Sequence, residues 1–495
     1  MSSAARTWRQ RSRFSTFADT FEVTPLRFYA PQSLADIIEI VEECAARGYR
    51  VRAVGTAHSW SDVALCPDVM MDMRGLDRPL DKETNVLRRD CDPENLFRVE
   101  AGMLVRDLAA VLKSHGKALP NISGFTGQTI VGAAQTATHG TGLVTGPLSS
   151  FITSLDVVNG HGQVIRVEPT DGVTVPAAFR AAYPKHLLIQ DDSRFDAITV
   201  SMGCMGIIYA VYVQTVPYYF LREDRTISTW QEVKSRIPER IAASRHYEFS
   251  LNPYPRDGKN TCLELIYTTV SEPIPAAALR AKRKPLLYIF SALPGATLLL
   301  RCLLASLPQL SPAFLDFIMK SLQDRGVISG YEVALTLGTL TDVVVQSCEF
   351  ALPISRCVAA VDAVIHMAQE ARKEGVYHSI PVIIRFVKKT PSYLAMQYGK
   401  DDDDDFCMVE CPCIVGTRGA MEQMNRYERA LYAIGGRPHW GQFNYLSGSN
   451  EMIQVMYPRF DAWLDAFHEF NDIGMFDSAF TDRLGFSRRP RTPSA

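Results

Sequence analysis

The chain has no basic surplus: 52 Lys and Arg stand against 54 Asp and Glu, for a net charge of −2. Nucleic-acid binding draws on a net basic balance or a basic stripe, so that class of partner is set aside. Metal-ligand spacing is missing as well. The eleven cysteines are scattered, and the closest group, Cys407, Cys411 and Cys413, has neither C-x-x-C spacing nor a nearby His, so no zinc or other metal site is read. Free thiols in a reducing compartment, the cytoplasm, account for them. The amino-terminal "MSSAARTWRQRSRFSTF" lacks an apolar core of signal-peptide length, which excludes a secretory signal, while its Arg and Ser content suits an organelle presequence. The longest apolar run, 286–308, is broken by Pro294, Gly295 and Arg301. A mid-span Arg costs about 2.5–3.5 kcal/mol on insertion scales, so a buried or membrane-grazing helical hairpin is expected rather than a span. The preceding "RAKRK" at 280–284 could add attraction to an anionic surface, which leaves peripheral membrane contact through 280–308 as an alternative to a buried hairpin. Both common nucleotide fingerprints are absent: "GTAHSWSD" is not G-x-G-x-x-G, and nothing matches G-x-x-x-x-G-K-[ST].

What is present is apolar bulk in alternating strands and helices. With 47% apolar residues, 24 Phe, 19 Tyr and 5 Trp in 495 residues, the chain can fill two or three domain cores. "SLADIIEIVEECAARG" sets Leu34, Ile37, Ile38, Val41 and Ala45 on one helical face, with Ser33 and Asp36 as a capping pair and Gly48 as the stop. "YRVRAVG" then reads as a strand, and "DLAAVLKSHGKAL" as a second helix ending near Gly116. "SLDVVNGHGQVIRVE" reads as a hairpin turning at 159–162, and an aromatic-rich strand follows Gly203 and Gly206. Pro-rich joints beyond Tyr218 suggest a boundary near 219. Further strands are expected in "HYEFSLNPY", "SCEFALP" and "IPVIIRFV", with helices at "CVAAVDAVIHMAQEARKEG" and around Phe460, Trp463, Leu464 and Phe467. The Asp401–Asp405 run reads as a solvated loop.

Two stretches have a different character. "VRAVGTAHSWSD" and "SGFTGQTIVGAAQTATHGTG" are dense in Gly, Ala, Ser and Thr, so a backbone there can approach a ligand closely. Successive N–H groups in such loops form anion nests that suit a dinucleotide pyrophosphate. Why an imidazole, His58, sits in the first of them is not answered by these residues alone.

Five ordered segments, "RAVGTAHSWSDVA", "TIVGAAQTATHGTG", "SMGCMGIIYAVYVQTVP", "GGRPHWGQFN" and "YPRFDAWLDAFHEFNDIGMF", resemble the flavin-linked oxidases that include L-gulonolactone, D-arabinono-lactone and alditol oxidases. The resemblance runs from about Thr7 to Gly485. It implies the vanillyl-alcohol-oxidase fold, an α+β architecture in two domains. On that pattern 1–20 is an amino-terminal extension, 21–219 an FAD-binding domain and 220–430 a substrate-binding cap built on a large antiparallel sheet flanked by helices. Residues 431–495 would return to the flavin. FAD is the implied cofactor, and His58 occupies the position that in many members is bonded covalently to a methyl carbon of the flavin ring. A neutral imidazole is a nucleophile near pH 7, and the tether would raise the flavin potential. The alternative is that His58 only packs against the ring. The resemblance assigns Val54, Gly55, Thr56, Ala57 and Ser59 to the pyrophosphate. It assigns Ser123, Gly132, Thr136, Thr138, His139, Gly140 and Gly142 to the flavin and its phosphates, and Gly203, Gly206 and Ile207 to the adenosine end. His139 also reads as a structural hydrogen-bond donor between loops.

On the substrate side, relatives carry "V-E-V-R-F" and "H-W-G-K", where this chain has "VIIRF" and "HWGQ". Arg385 is retained, but Ile383 stands at the carboxylate position and Gln442 at the lysine position. An Arg there can stabilise charge on a reduced ring or hold a substrate oxygen. Glu410 reads as an isolated buried carboxylate and a candidate general base, or as an ion-pair partner of Arg385. His439 is the other candidate base, Gln442 completes the catalytic set, and Glu349 resembles a recurrent family Glu. The implied reaction is hydride transfer from a CH–OH carbon to flavin, with dioxygen reoxidising the flavin to give hydrogen peroxide. The substrate is expected to be less polar than a sugar lactone. A flavin-dependent oxidative cyclase or desaturase, and a non-catalytic flavin-binding protein, are the alternatives.

Overall fold

The computed structural model describes residues 13–271, 274, 279, 295–336, 344–446 and 450–488. Its amino-terminal half is built on two sheets. Strands Arg27–Tyr29, Val69–Asp72 and Val51–Val54 form a three-stranded parallel sheet in that order. Helix Leu34–Arg47 connects the outer two; the Ser33 hydroxyl accepts from the Asp36 amide, and Gly48 ends the helix at φ 66°. Its buried face is Ile37, Ile40, Val41 and Cys44, a clean i, i+3, i+4, i+7 stripe, whereas Ala45 is exposed. The expected face was therefore rotated by part of a turn.

A six-stranded mixed sheet follows, in the order 187–190, 164–168, 152–158, 207–214, 96–100 and 79–80. The hairpin at its centre turns at Asn159, whose side-chain oxygen accepts from the amides of His161 and Gln163.

The carboxyl-terminal half carries an eight-stranded sheet, antiparallel throughout, in the order 324–330, 220–229, 261–270, 246–251, 382–387, 406–414, 345–353 and 437–438. Alternate residues of its central strands, including Tyr247, Phe249, Phe350, Ile384 and Val409, pack beneath helices Trp230–Ala243, Cys357–Lys373 and Ala420–Tyr432. Side chains alternate across a strand, so Glu248, Glu349, Ile383, Arg385 and Glu410 face away from that helical layer. Strand alternation thus sets one apolar face against helices and gathers charge on the other.

The final segment runs back to the first half: the Trp463 indole, on helix Phe460–Phe470, donates to the Val200 carbonyl at 3.2 Å. The start of the chain is also engaged, since the Phe17 amide donates to the carbonyls of Ala57 at 2.8 Å and Ser59 at 3.1 Å. In the long apolar region, helices Ala296–Ser306 and Ser311–Ser321 form a pair bent by 103°, and no single helix among the described residues is long and apolar enough to cross a membrane. Leu304, Leu315 and Met319 are buried, but Leu298, Leu299, Leu303, Leu307, Leu310 and Phe317 are exposed. The basic run at 280–284 lies outside the described residues.

Candidate active site

A cavity of about 720 Å³ is lined by both small-residue ribbons and by the charged face of the eight-stranded sheet. The first ribbon enters it directly from strand Val51–Val54. A Cβ on Gly55 would lie 2.5 Å from Thr129 Oγ1, so the two ribbons touch there only because one residue has no side chain. Thr129 accepts from the Gly132 amide at 3.2 Å and starts the short helix Ile130–Ala134. Gln135, which sequence reasoning missed, ties in the third segment: its amide donates to the Ile198 carbonyl, and its oxygen accepts from the Ser201 hydroxyl and the Gly203 amide. A glutamine in a run of small residues was the available signal.

Of the residues assigned from sequence to the cofactor, Val54, Gly55, Thr56, Ala57, His58, Ser59, Ser123, Gly132, Thr136, Thr138, His139, Gly203 and Gly206 line this cavity. Gly140, Gly142 and Ile207 do not. A Cβ on Gly140 would meet the Ile122 carbonyl at 2.3 Å, and one on Gly142, at φ 119°, would meet His246 Nδ1 at 2.5 Å. The Gly142 amide donates to the Phe386 carbonyl at 2.6 Å. Both glycines are therefore set by backbone packing, Gly142 at the seam between the two halves. Ile207 is fully buried in an apolar cluster with Ile37, Val41 and Val158.

His58 packs against two rings that sequence reasoning also missed, stacked on Phe125 with centroids 3.8 Å apart and tilted against Phe17 at 4.2 Å. Burial pushes its imidazole down to about 4, so the ring is neutral at pH 7.

At the other end of the cavity Arg385 is the hub of a charged cluster. Its Nη1 lies 2.6 Å from Glu410 and 3.5 Å from Glu349, and its Nε lies 3.3 Å from Glu248. Strand register explains the convergence. Glu349 and Glu410 are directly opposed, as are Glu248 and Arg385, and like charges facing each other require a cation between them. Glu410 is thus paired rather than isolated. It also stands directly opposite Ile383, so the carboxylate absent from the Arg385 strand comes from its neighbour. Glu248 was not singled out from sequence, because register across non-sequential strands is not written in either strand alone.

Glu349 is buried, which would raise its carboxyl, but His139, then Arg385 and His439, outweigh that and hold it down at about 2. His139 Nε2 lies 3.3 Å from Glu349, and its Nδ1 donates to the Gly140 carbonyl at 2.8 Å. Burial lowers His439 to about 4. Its Nδ1 accepts from the Gly441 amide at 3.0 Å, which leaves the proton of the neutral ring on Nε2, 3.4 Å from Thr138 Oγ1. The Gln442 amide reaches Glu349 at 3.2 Å and Glu410 at 3.5 Å. Arg385, Glu410, His439 and Gln442 all line the same cavity as His58.

Residues 25–168 match the FAD binding domain family, and residues 211–484 match the D-arabinono-1,4-lactone oxidase family. The chain belongs to the D-arabinono-1,4-lactone oxidase family. It is similar to L-gulono-1,4-lactone dehydrogenase of Mycobacterium tuberculosis, with 27% identity over 93% of this chain and 96% of that one. With L-gulonolactone oxidase of Mus musculus the identity is 24%, over 95% and 98%. Among solved structures, cholesterol oxidase from Brevibacterium sterolicum aligns with a TM-score of 0.75 at 14% identity, covering 97% of this chain and 98% of that one. That likeness shows the fold, the vanillyl-alcohol-oxidase type. The family member described here is an FAD-dependent oxidoreductase.

The cavity suits that cofactor. Two ribbons with little side-chain bulk line it, and so does Arg52, a buried guanidinium whose Nε and Nη1 have no hydrogen-bond partner and which no carboxylate pairs among the described residues. A buried cation without an anion is costly, and a pyrophosphate supplies one.

Proposed function

We propose that this protein oxidises a CH–OH group of a small molecule, with dioxygen as the final electron acceptor and hydrogen peroxide as the reduced product. The observation that carries this reading is the convergence, in one cavity, of His58 and the small-residue ribbons with Arg385, Glu410, His439 and Gln442. Bound FAD supplies the two-electron acceptor for hydride. Glu410 takes the hydroxyl proton through Oε1, while its Oε2 is held by Arg385. His439 donates from Nε2 instead of acting as base, since its lone pair on Nδ1 is already engaged. Arg385 holds the substrate oxygen borne by the carbon from which hydride leaves and steadies negative charge as it develops there. His58 would tether the cofactor covalently, a reading supported by its neutral ring at the cavity wall.

The charged cluster occupies one end of the substrate space, while Val344, Ile380, Ile383 and Pro412 supply apolar wall. That combination favours a hydroxylated substrate with an apolar portion, less polar than a sugar lactone. The test is anaerobic flavin reduction by a panel of aldonolactones, alditols and more apolar secondary alcohols. Fastest reduction by an apolar alcohol supports the substrate reading, fastest reduction by an aldonolactone replaces it, and no reduction by any compound leaves a binding protein without turnover.

The eleven unpaired cysteines favour a reducing, cytoplasmic location. The exposed leucines of the bent helix pair, with Arg301 and Lys320 exposed among them and the only acid there, Asp316, buried, favour peripheral contact with an anionic bilayer.

A further inference from the structure

We infer that Phe17 and Phe125 form an aromatic clamp that positions His58 for its bond to the cofactor, so that the amino-terminal extension is part of the attachment site. This rests on the tether reading given above. The bond would join an imidazole nitrogen to a ring-methyl carbon of the flavin. One methyl hydrogen and the imidazole N–H hydrogen depart with their two electrons, and dioxygen takes both up as hydrogen peroxide.

Ring geometry and the backbone on both sides hold the clamp. Phe125 lies nearly parallel to the imidazole, at an interplanar angle of 11°. Its carbonyl accepts from the Ser123 hydroxyl at 2.7 Å, and a Cβ on Gly127 would fall 2.6 Å from Phe125 Cζ, so the loop is shaped to let that ring fold back. Phe17, at 47° to the imidazole, is anchored by its own amide to the carbonyls on either side of His58, those of Ala57 and Ser59. The backbone is held there too, with Ala57 at φ 53°, a left-handed conformation that an alanine keeps only when its surroundings enforce it.

An aromatic face neither accepts nor donates a strong hydrogen bond. Among the described residues, no group hydrogen-bonds either nitrogen of His58, so the clamp fixes the ring plane without occupying the nucleophile. The same desolvation keeps the ring neutral, as its lowered titration reflects. A hydrogen-bonding clamp would have fixed the ring at the expense of its lone pair.

The test is the fraction of flavin that stays with the chain after acid precipitation, measured for the wild-type protein, Phe125→Ala, Phe125→Tyr and Phe17→Leu, with total bound flavin counted before precipitation. The expected result is near-complete retention in the wild-type protein and Phe125→Tyr. Phe125→Ala and Phe17→Leu should retain at least fivefold less of the flavin they bind. Because retention is expressed per bound flavin, a variant that folds poorly does not mimic the effect. Full retention in both Phe125→Ala and Phe17→Leu overturns the clamp while leaving the tether intact. Release of flavin from the wild-type protein itself overturns the tether, and the clamp with it.

Discussion

At the scale of single residues, the site divides into groups that sequence motifs announce and groups that only packing delivers. His58 and Arg385 stand in recognisable strings, and each supports a direct prediction. His58→Ala should release yellow pigment into the supernatant on acid precipitation, where the wild-type protein keeps it in the pellet; pigment retained by the variant would disprove the bond. Arg385→Met should slow anaerobic flavin reduction by the true substrate at least tenfold, about 1.4 kcal/mol of barrier, and stopped-flow absorbance measures it directly. Phe17, Phe125, Gln135 and Glu248 carry no motif. A phenylalanine in a Gly-rich loop or a glutamate in an alternating strand is ordinary until its partner is known. For Glu410 the sequence left open an isolated base and an ion pair with Arg385, and the strand register brings Arg385 to 2.6 Å from the lone charge in "DFCMVECPC".

At the scale of elements, periodicity was a good guide to what forms and a poor one to what meets. The helix Leu34–Arg47 and the hairpin turning at Asn159 form where their apolar spacing and turn residues place them. The order of the eight-stranded sheet, with 382–387 beside 246–251, depends on pairings more than a hundred residues apart that no local pattern encodes. The link between the halves at Gly142 was likewise hidden, because its glycine looked like one more member of a ligand ribbon. Gly142→Ala should destabilise the protein by about 1–3 kcal/mol through left-handed strain and the clash at His246. Denaturant unfolding checks it, and an unchanged midpoint would remove the seam from the account. Acid should weaken the same elements. His246 and His439 are held near 4 and His378 near 3 by burial, against about 6.5 in an unfolded chain. Above pH 6.5 both states are neutral and nothing is lost. As pH falls from 6.5 towards 4 the unfolded chain gains protons first, so stability drops by about 2 kcal/mol per histidine by pH 5. His378→Gln should flatten that slope in unfolding measured from pH 7 to pH 5.

At the scale of the whole molecule, the fold class was legible because five motifs occur in a fixed order, whereas the exposed leucines of the bent helix pair had first read as core or membrane contact alike. The surface reading predicts that the full chain sediments with vesicles rich in anionic lipid. Leu299→Glu combined with Leu303→Glu should reduce the bound fraction at least fivefold with flavin content unchanged, and equal sedimentation of both proteins would discard it. The return of the last segment has a different consequence. Ser61, on the first ribbon, donates to the Trp440 carbonyl at 2.7 Å, and the Trp60 amide donates to the Gly441 carbonyl at 2.8 Å. A nascent chain still on the ribosome short of Gly441 therefore lacks a wall of the chamber, so a closed binding site for the prosthetic group exists only after that segment has been synthesised and has folded back.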